Sequence, residues 1–495
     1  MALPPEMAQL GNLAAAVLVG WLVLKGYRSI RRHSRLLGRI VAAGILARAA
    51  VGLALFWISY LQLPVAASFH SGDGFWELAT DARGYYQLAT FGASEALRDV
   101  ESVPSPVFVR TLALWMSLVG VSPASALFLN LSLYVVLILV VVWYYEPVDD
   151  WRRDLPCIVG VAAYSFSPVL LLHSTQALKD NLSCTFIGFA CLGVLGIRGL
   201  IYRESEKATA RAFAIGVVLL SVATFGMAGI RWYYAALMLG AVATVLGVFA
   251  VRGRSTPWRP YIRGCAVVSA ALFIAFLAGA GPTYRESMLE SAIGGPRRLA
   301  AMIEGARTGF ISAGGATNIG SVVPTHSEEP SKLPTHSEKQ SQLPTDSQEH
   351  SRPRVSTVLA HQAKGLSLGT AFLFLPTSFI ATTSGIALQG GQGLLPFVDL
   401  DTIFQDVAIV CILALLWTRR RNIGTRLPLV VFGLVLALAS AILMAYVVTN
   451  VGTMVRLRLL VMVPLWLLGL AVTARQSTRV PSAVDRASTN PASAL

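Results

Sequence analysis

The loop between the second and third long apolar stretches carries the residues best suited to sugar chemistry. Its run FHSGDGFWELATDARGYYQLATFGASEAL, from Phe69 to Leu97, is dense in acids and aromatic rings. Asp81 and Tyr85 are four residues apart, so on a helix they share one face, and Tyr86 extends the aromatic surface. A carboxylate there can take the proton of a sugar hydroxyl, and the rings can stack on a sugar face. The alternative is that Asp81 caps a helix at the membrane surface and the tyrosines anchor it.

The same loop suggests a divalent cation as the only cofactor. Asp73, Glu77 and Asp81 are spaced four residues apart and could line one helix face as a set of hard oxygen ligands. The stronger expectation is that no metal binds and that only Asp81 faces the substrate.

A second acidic position follows the run YSFSPVLLLHSTQALKD. Lys179 and Asp180 open a helix at the same predicted end of the protein as Asp81. The functional interpretation puts a second catalytic carboxylate, Asp180, beside the first and lets Lys179 bind substrate. The alternative is a neighbouring charge pair at a helix start, where the helix dipole favours Asp180.

Three arginines lie in turns where a membrane protein usually avoids basic residues. Arg231 stands between two apolar stretches with almost no loop, and Arg456 and Arg458 open the last stretch. Guanidinium groups hold phosphate in a planar, two-pronged way, so we expect these three to bind a lipid-linked phosphate. The alternative is that they only reach toward lipid headgroups.

The composition identifies the scaffold as an all-α, polytopic helical membrane protein. The chain has 495 residues, of which 55% are hydrophobic and 13% charged, and its mean hydropathy is +0.62. A soluble domain carries roughly twice that charge. Stretches of about 20 apolar residues predict about eleven membrane spans. They are 9–25, 40–62, 124–145, 156–173, 181–198, 211–229, 232–251, 264–281, 404–419, 427–447 and 455–473.

The distribution of basic residues predicts the orientation. One set of short loops and the tail together hold 23 Lys and Arg residues, whereas the alternate loops, counting loop 63–123 without its predicted helix and leaving out loop 282–403, hold 6. The positive-inside rule makes the first set cytoplasmic, with the N-terminus outside and the C-terminus inside. Loops 63–123 and 282–403 are then outside, and we expect interfacial helices within them at 106–121 and 366–385. The net charge of +14 therefore fits membrane lipids and not nucleic acid.

Five segments follow from this pattern. Residues 1–39 form an extra span and a basic loop, and 40–320 form the catalytic core. Residues 321–355 contain three decapeptide repeats beginning PTHSEEPSKL, whose composition predicts a disordered spacer. Residues 356–475 add an interfacial helix and the last spans, and 476–495 form a disordered cytoplasmic tail.

At this point the residues resemble the GT-C glycosyltransferases, in particular bacterial proteins of the dolichyl-phosphate-mannose protein mannosyltransferase type. The resemblance rests on Asp81-Ala-Arg-Gly-Tyr85, Ser105-Pro106, Gly120-Val-Ser-Pro123 and Asp180, and covers roughly residues 40–250. It implies an inverting transferase of the bacterial inner membrane. A sugar would pass on the outer face from a polyprenyl-phosphate donor to a glycan, lipid or protein acceptor. Asp81 would be the base, Asp180 a supporting acid, and the arginines would hold the donor phosphate.

Two other functions remain open. An O-antigen-type polymerase or ligase would use late-loop arginines and a histidine, for which His361 is the candidate. A lipid-glycan flippase or transporter would line a central path with polar groups, and Arg48 is the main charge deep in a span. The convergence of Asp81, Asp180 and Arg231 at one end of the bundle would favour the glycosyltransferase.

Overall fold

The protein is described here from a computed structural model, and the described part is almost wholly helical. It comprises residues 5–94, 105–145, 147, 149–202, 206–252, 257–281, 285, 366–367, 370–371, 373–384, 395–448 and 451–472. The repeats, His361 and the C-terminal tail therefore lie outside the described residues. The predicted all-α polytopic class is confirmed.

The described residues of the N-terminal half form ten helices and one small hairpin of strands. They are α1 (Pro5–His33), α2 (Arg35–Tyr60), β1 (His70–Gly72), β2 (Phe75–Trp76), α3 (Thr80–Ser94), α4 (Pro106–Val119), α5 (Ala124–Tyr145), α6 (Trp151–Phe166), α7 (Pro168–His173), α8 (Asp180–Gly196), α9 (Glu206–Arg252) and α10 (Trp258–Gly279). The strands pair antiparallel, with His70 opposite Trp76 and Gly72 opposite Phe75. Short 3-10 turns occupy Glu77–Ala79 and Ile197–Leu200.

The described residues of the C-terminal part form five further helices. They are α11 (Thr377–Ser384), α12 (Leu395–Thr418), α13 (Leu427–Val447), α14 (Val451–Leu467) and α15 (Gly469–Val472). Of the predicted interfacial helices, α4 occupies 106–119, and α11 lies within 366–385.

The chain divides into two compact units. The first comprises Met1–Met288, Phe404–Ala439 and Leu459–Leu495, and the second comprises Leu289–Ile403 and Ser440–Arg458. In the first unit α8 is buried along almost its whole length, whereas α1 is largely exposed. An apolar helix exposed in this way is suited to face lipid, because lipid leaves no penalty on an exposed apolar surface.

Nine helices in the described residues are long and apolar enough to cross a membrane, fewer than the eleven predicted. Ten of the predicted spans nevertheless coincide with them, because the helix Ala210–Val251 contains two. The exception is 156–173, which is broken between α6 and α7.

The helix α9 reverses direction at Arg231, whose φ of −150° and ψ of 75° are not helical. A Cβ on Gly196 would lie 2.6 Å from the Cα of Gly216, and the rings of Tyr202 and Phe249 are 6.1 Å apart. A straight helix would hold Gly216 and Phe249 about 50 Å apart. Both contact the short segment 196–202, so α9 is a hairpin of two helices with Arg231 at its tip, as the two predicted spans require.

A proline causes the break between α6 and α7, and an arginine from α2 satisfies the backbone carbonyls that the break leaves unpaired. Pro168 has no N–H to donate to the carbonyl of Tyr164, so the helix cannot continue. The fully buried Arg48 of α2 donates instead to the carbonyls of Tyr164, at 2.8 Å, and Ser165, at 2.7 Å. Its guanidinium also lies 4.1 Å from the ring centre of Tyr134. Arg48 therefore satisfies the carbonyl groups that the helix break exposes.

The basic loops of the first unit meet at one end of the bundle. The backbone N–H of Arg35 donates to Asp149 at 2.8 Å. Arg419, after α12, donates to the carbonyls of Arg152 and Arg153 at 2.6 and 3.1 Å. Three of the loops that charge assigned to one side therefore lie at the same end of the bundle, and which side of the membrane they face stays a prediction.

Candidate functional site

The segment between α2 and α3, which we call the acid-rich loop, is folded against the end of α2. The indole N–H of Trp76 donates to the carbonyl of Leu55 at 2.9 Å, and the hydroxyl of Ser59 donates to the carbonyl of Phe75 at 2.6 Å. These bonds fix the strand hairpin against α2 and thereby set the start of α3. Asp81 lies exposed in the first turn of α3.

One turn further along α3, the buried ring of Tyr85 contacts Lys179. The ammonium group of Lys179 lies 5.2 Å from the ring centre, and it donates to the hydroxyl of Ser105 at 2.7 Å. That hydroxyl donates to the carbonyl of Ile230 at 3.2 Å, one residue before the tip of the α9 hairpin. Three predicted site positions, Tyr85, Lys179 and Arg231, are thus linked through Ser105.

The tip itself carries a buried ion pair. Arg231 donates to Asp180 across 2.6 Å, and both side chains are almost completely buried. The imidazole Nδ1 of His173 lies 3.8 Å from the second carboxylate oxygen of Asp180. We call Tyr85, Ser105, Lys179, Asp180 and Arg231 the polar cluster. The cluster thus contains two cations and one carboxylate.

A buried turn between α7 and α8 holds this cluster in place. The amide of Asn130 donates to the carbonyls of Ser174 and Gln176 at 2.9 and 3.0 Å, which satisfies a backbone that water cannot reach. Gln176 donates in turn to the carbonyl of Gly74 at 3.3 Å. The acid-rich loop and the start of α8 are therefore connected through this turn as well as through Tyr85.

Asn181 is the residue after the ion pair and is 1% exposed. Within the described part of the chain, neither its amide nitrogen nor its amide oxygen has a hydrogen-bond partner. Buried polar groups are nearly always paired, so a spare donor and acceptor at this position suit a hydroxyl-bearing ligand or a water.

The three acids suggested as metal ligands do not share a helix face. Asp73 lies between the two strands and pairs with Arg83 at 3.4 Å, and Glu77 lies in a 3-10 turn and accepts from Ser71 at 2.8 Å. Only Asp81 belongs to α3. The one-helix arrangement was wrong because a Gly-Asp-Gly turn interrupts the repeat, and no metal-binding group of His, Cys, Asp or Glu occurs among the described residues. Tyr86 is half-buried, with its ring 5.5 Å from Phe75.

In the second unit, Arg458 is a structural cation. It is fully buried and donates to Asp401 at 2.8 Å and to the hydroxyl of Thr402. Its guanidinium is thus neutralised within the protein. Arg456 is half-buried and remains the better candidate for a phosphate ligand in that unit.

The sequence did not reveal Ser105, Asn181 or Asp401 as partners. In the sequence, Ser105 is marked only as part of the Ser-Pro pair, which does not indicate its bond to Lys179, and its left-handed φ of 62° is seen only in the structure. No sequence feature marked Asp401, which lies just before the predicted span 404–419 and in none of the motifs. Comparisons with protein-family models, with curated proteins and with solved structures found no match.

Proposed function

We propose that the protein is a glycosyltransferase that moves a sugar from a polyprenyl-phosphate donor to an acceptor hydroxyl. The acceptor is a glycan, a lipid or a protein, and the reaction takes place on the outer face of the cell membrane. The observation that carries this proposal is the position of the exposed Asp81, one turn from Tyr85, whose ring contacts Lys179. A carboxylate and a cation thus lie near the same aromatic ring of α3.

The donor phosphate is best matched by Lys179. It is less buried than Arg231. Ammonium contacts to a departing phosphate stabilise the charge that develops on it. In this proposal Arg231 does not contact the donor phosphate but adds positive potential at it. Asp180 fixes the position of Arg231 through the ion pair.

Asp180 is better assigned as a positioning residue than as a supporting acid. Its carboxylate is 1% exposed and engaged by Arg231 at 2.6 Å, so an acceptor hydroxyl would have to displace a buried ion pair to reach it. The neighbouring Asn181 is just as buried, and its side-chain amide has no hydrogen-bond partner among the described residues.

The proposed sugar transfer accounts for every bond and for the proton. The acceptor hydroxyl loses its proton to Asp81 while its oxygen forms a bond to the anomeric carbon. The bond from that carbon to the phosphate oxygen breaks, and the electron pair leaves with the polyprenyl phosphate. One displacement inverts the configuration, and one carboxylate base is enough.

The alternative functions gain no specific support. Arg48, the charge that suggested a transport path, is fully buried against carbonyl groups and the ring of Tyr134. His361, which suggested a ligase, lies outside the described residues.

The test is transfer of radiolabelled sugar from polyprenyl-phosphate donors in membranes that contain the full chain. Asp81→Asn keeps the size of the side chain but removes the proton acceptor, and we expect about a 10²–10⁴-fold loss of rate. The matched control is Asp73→Asn, an exposed carboxylate in the same loop that is paired with Arg83, and it should lose far less. Near-parental turnover by the Asp81 variant would contradict the mechanism.

A further inference from the structure

A second charged region lies at the opposite end of α2 from the polar cluster. Ser59, near the end of α2, bonds to the acid-rich loop. Arg35 begins the same helix, about 36 Å away along its axis. Around Arg35 the helices α1 and α2 form a cavity of about 880 Å³ that is open to the surface.

The cavity combines a basic rim with an apolar wall. Five arginines from both helices line it, and Ala42, Ala43 and Leu46 continue the lining along α2. The arginines are Arg28, Arg31, Arg32, Arg35 and Arg39. A ligand that fits this lining has an anionic head and an apolar tail.

The arginines are held by a close helix–helix contact. A Cβ on Gly38 would lie 2.9 Å from both Cα and Cβ of Arg31, so the backbones touch at this level. The turn that joins the helices is buried at Ser34, whose hydroxyl accepts from the N–H of Leu37 at 3.4 Å. Both rows of basic side chains therefore project from a fixed scaffold.

The charge in the cavity is poorly balanced within the described residues. Among the described residues, the ion pair that these arginines form joins Arg35 to Asp149, with a separation of 4.0 Å. Four further guanidinium groups line the same space, and like charges so close together repel unless an anion joins them.

We infer that this cavity binds an anionic phospholipid that carries more than one phosphate. Its phosphates would accept two-pronged hydrogen bonds from the arginines, and an acyl chain would lie along Ala42, Ala43 and Leu46. Basic pockets between membrane helices bind such headgroups. This site is separate from the proposed sugar-transfer site and does not depend on it.

The test uses the detergent-solubilised full chain and fluorescent cardiolipin as the probe, with phosphatidylglycerol and inorganic pyrophosphate as competitors. The triple variant Arg28→Gln, Arg32→Gln, Arg39→Gln should bind cardiolipin about tenfold or more weakly. The control variant Arg259→Gln, Arg263→Gln, Arg421→Gln removes the same charge from exposed arginines elsewhere and should stay within about threefold of the parent.

A further variant separates a lipid site from a phosphate site. Ala43→Trp fills the apolar wall, so it should weaken cardiolipin binding and leave pyrophosphate binding unchanged. Equal losses in the two triple variants would overturn the inference, because they would show only general surface charge. Cardiolipin binding that is unaffected by Ala43→Trp, or no tighter than that of phosphatidylglycerol, would overturn it as well.

Discussion

Arg231 at the tip of the α9 hairpin donates to Asp180 at the first residue of α8 across 2.6 Å, with both side chains buried. The contact joins two positions 51 residues apart and closes the end of the bundle at which Lys179 meets Tyr85. Removing one partner of such a buried ion pair strongly lowers the stability of a protein, whereas replacing both partners with apolar residues changes it little.

The ion pair yields the first prediction. Asp180→Asn should lower the free energy of unfolding by about 3–5 kcal/mol, because it leaves the charge of Arg231 buried and uncompensated. The double variant Asp180→Leu, Arg231→Met should recover most of that loss. Thermal unfolding in detergent measures both. A double variant as unstable as the single one would show that the pair is not an isolated unit.

The double variant also separates stability from function. If Arg231 supplies potential to the donor phosphate, the refolded double variant should still transfer sugar poorly, with a raised KM for the donor. Parental activity would remove Arg231 from the proposed site.

Lys179 carries the second prediction. Lys179→Met keeps the length of the side chain and removes its charge, so the KM for the polyprenyl-phosphate donor should rise by about 10- to 100-fold. Lys179→Arg should recover part of the loss. The matched control is Lys25→Met, which removes a similar cation–ring contact, 5.0 Å from the ring of Trp21, in a different helix. Equal effects at both positions would argue against a phosphate contact.

The two late arginines should behave differently from each other. Arg458→Ala leaves Asp401 buried without its cation and should destabilise the protein by about 3–5 kcal/mol. Arg456→Ala should lower the melting temperature less than Arg458→Ala does, because Arg456 is only half-buried, and it should raise the KM for the donor. Donor titrations and melting curves of both variants test this contrast, and a reversed pattern would exchange their assigned roles.

Arg48 is predicted to act through the break at Pro168. Arg48→Met should destabilise the fold, because it leaves the carbonyls of Tyr164 and Ser165 unsatisfied. Adding Pro168→Ala should restore part of the stability, since the new N–H can donate to Tyr164. Melting curves of the single and double variants test this prediction. If the second substitution restores no stability, Arg48 stabilises the fold mainly through its contact with the ring of Tyr134.

The repeat segment carries a prediction from composition alone. Deleting 322–355 should leave insertion, stability and sugar transfer nearly unchanged, because almost nothing in these repeats can form a core. Protein level and activity are measured together. A loss of activity at a normal protein level would contradict the spacer interpretation.

The spans could be predicted from sequence because a bilayer fixes both their length and their helical form. The sharp reversal at Arg231 could also be predicted, since two apolar stretches adjoin there without a loop. The break near Pro168 gave a signal in the proline, but the chain itself does not show that Arg48, more than 100 residues earlier, satisfies it.

The site was less predictable than the fold. Charge placement put Asp180 and Arg231 at one end of the bundle, but pairing depends on packing that a one-dimensional pattern does not contain. The spacing of Asp73, Glu77 and Asp81 suggested a helix, and the two glycines around Asp73, both with positive φ, allow a tight turn instead.

The loopless hairpin of α9 also bears on how the protein is made. Its two halves are joined without a loop, so the first half cannot be inserted with a free segment left between it and the second. We therefore expect both halves to enter the bilayer together. In the proposed orientation Arg231 must then cross the hydrocarbon region, where an uncompensated charge is costly. Its carboxylate partner lies at the start of the preceding helix and has already left the ribosome. Synthesis from the N-terminus thus supplies the neutralising acid before the arginine that needs it.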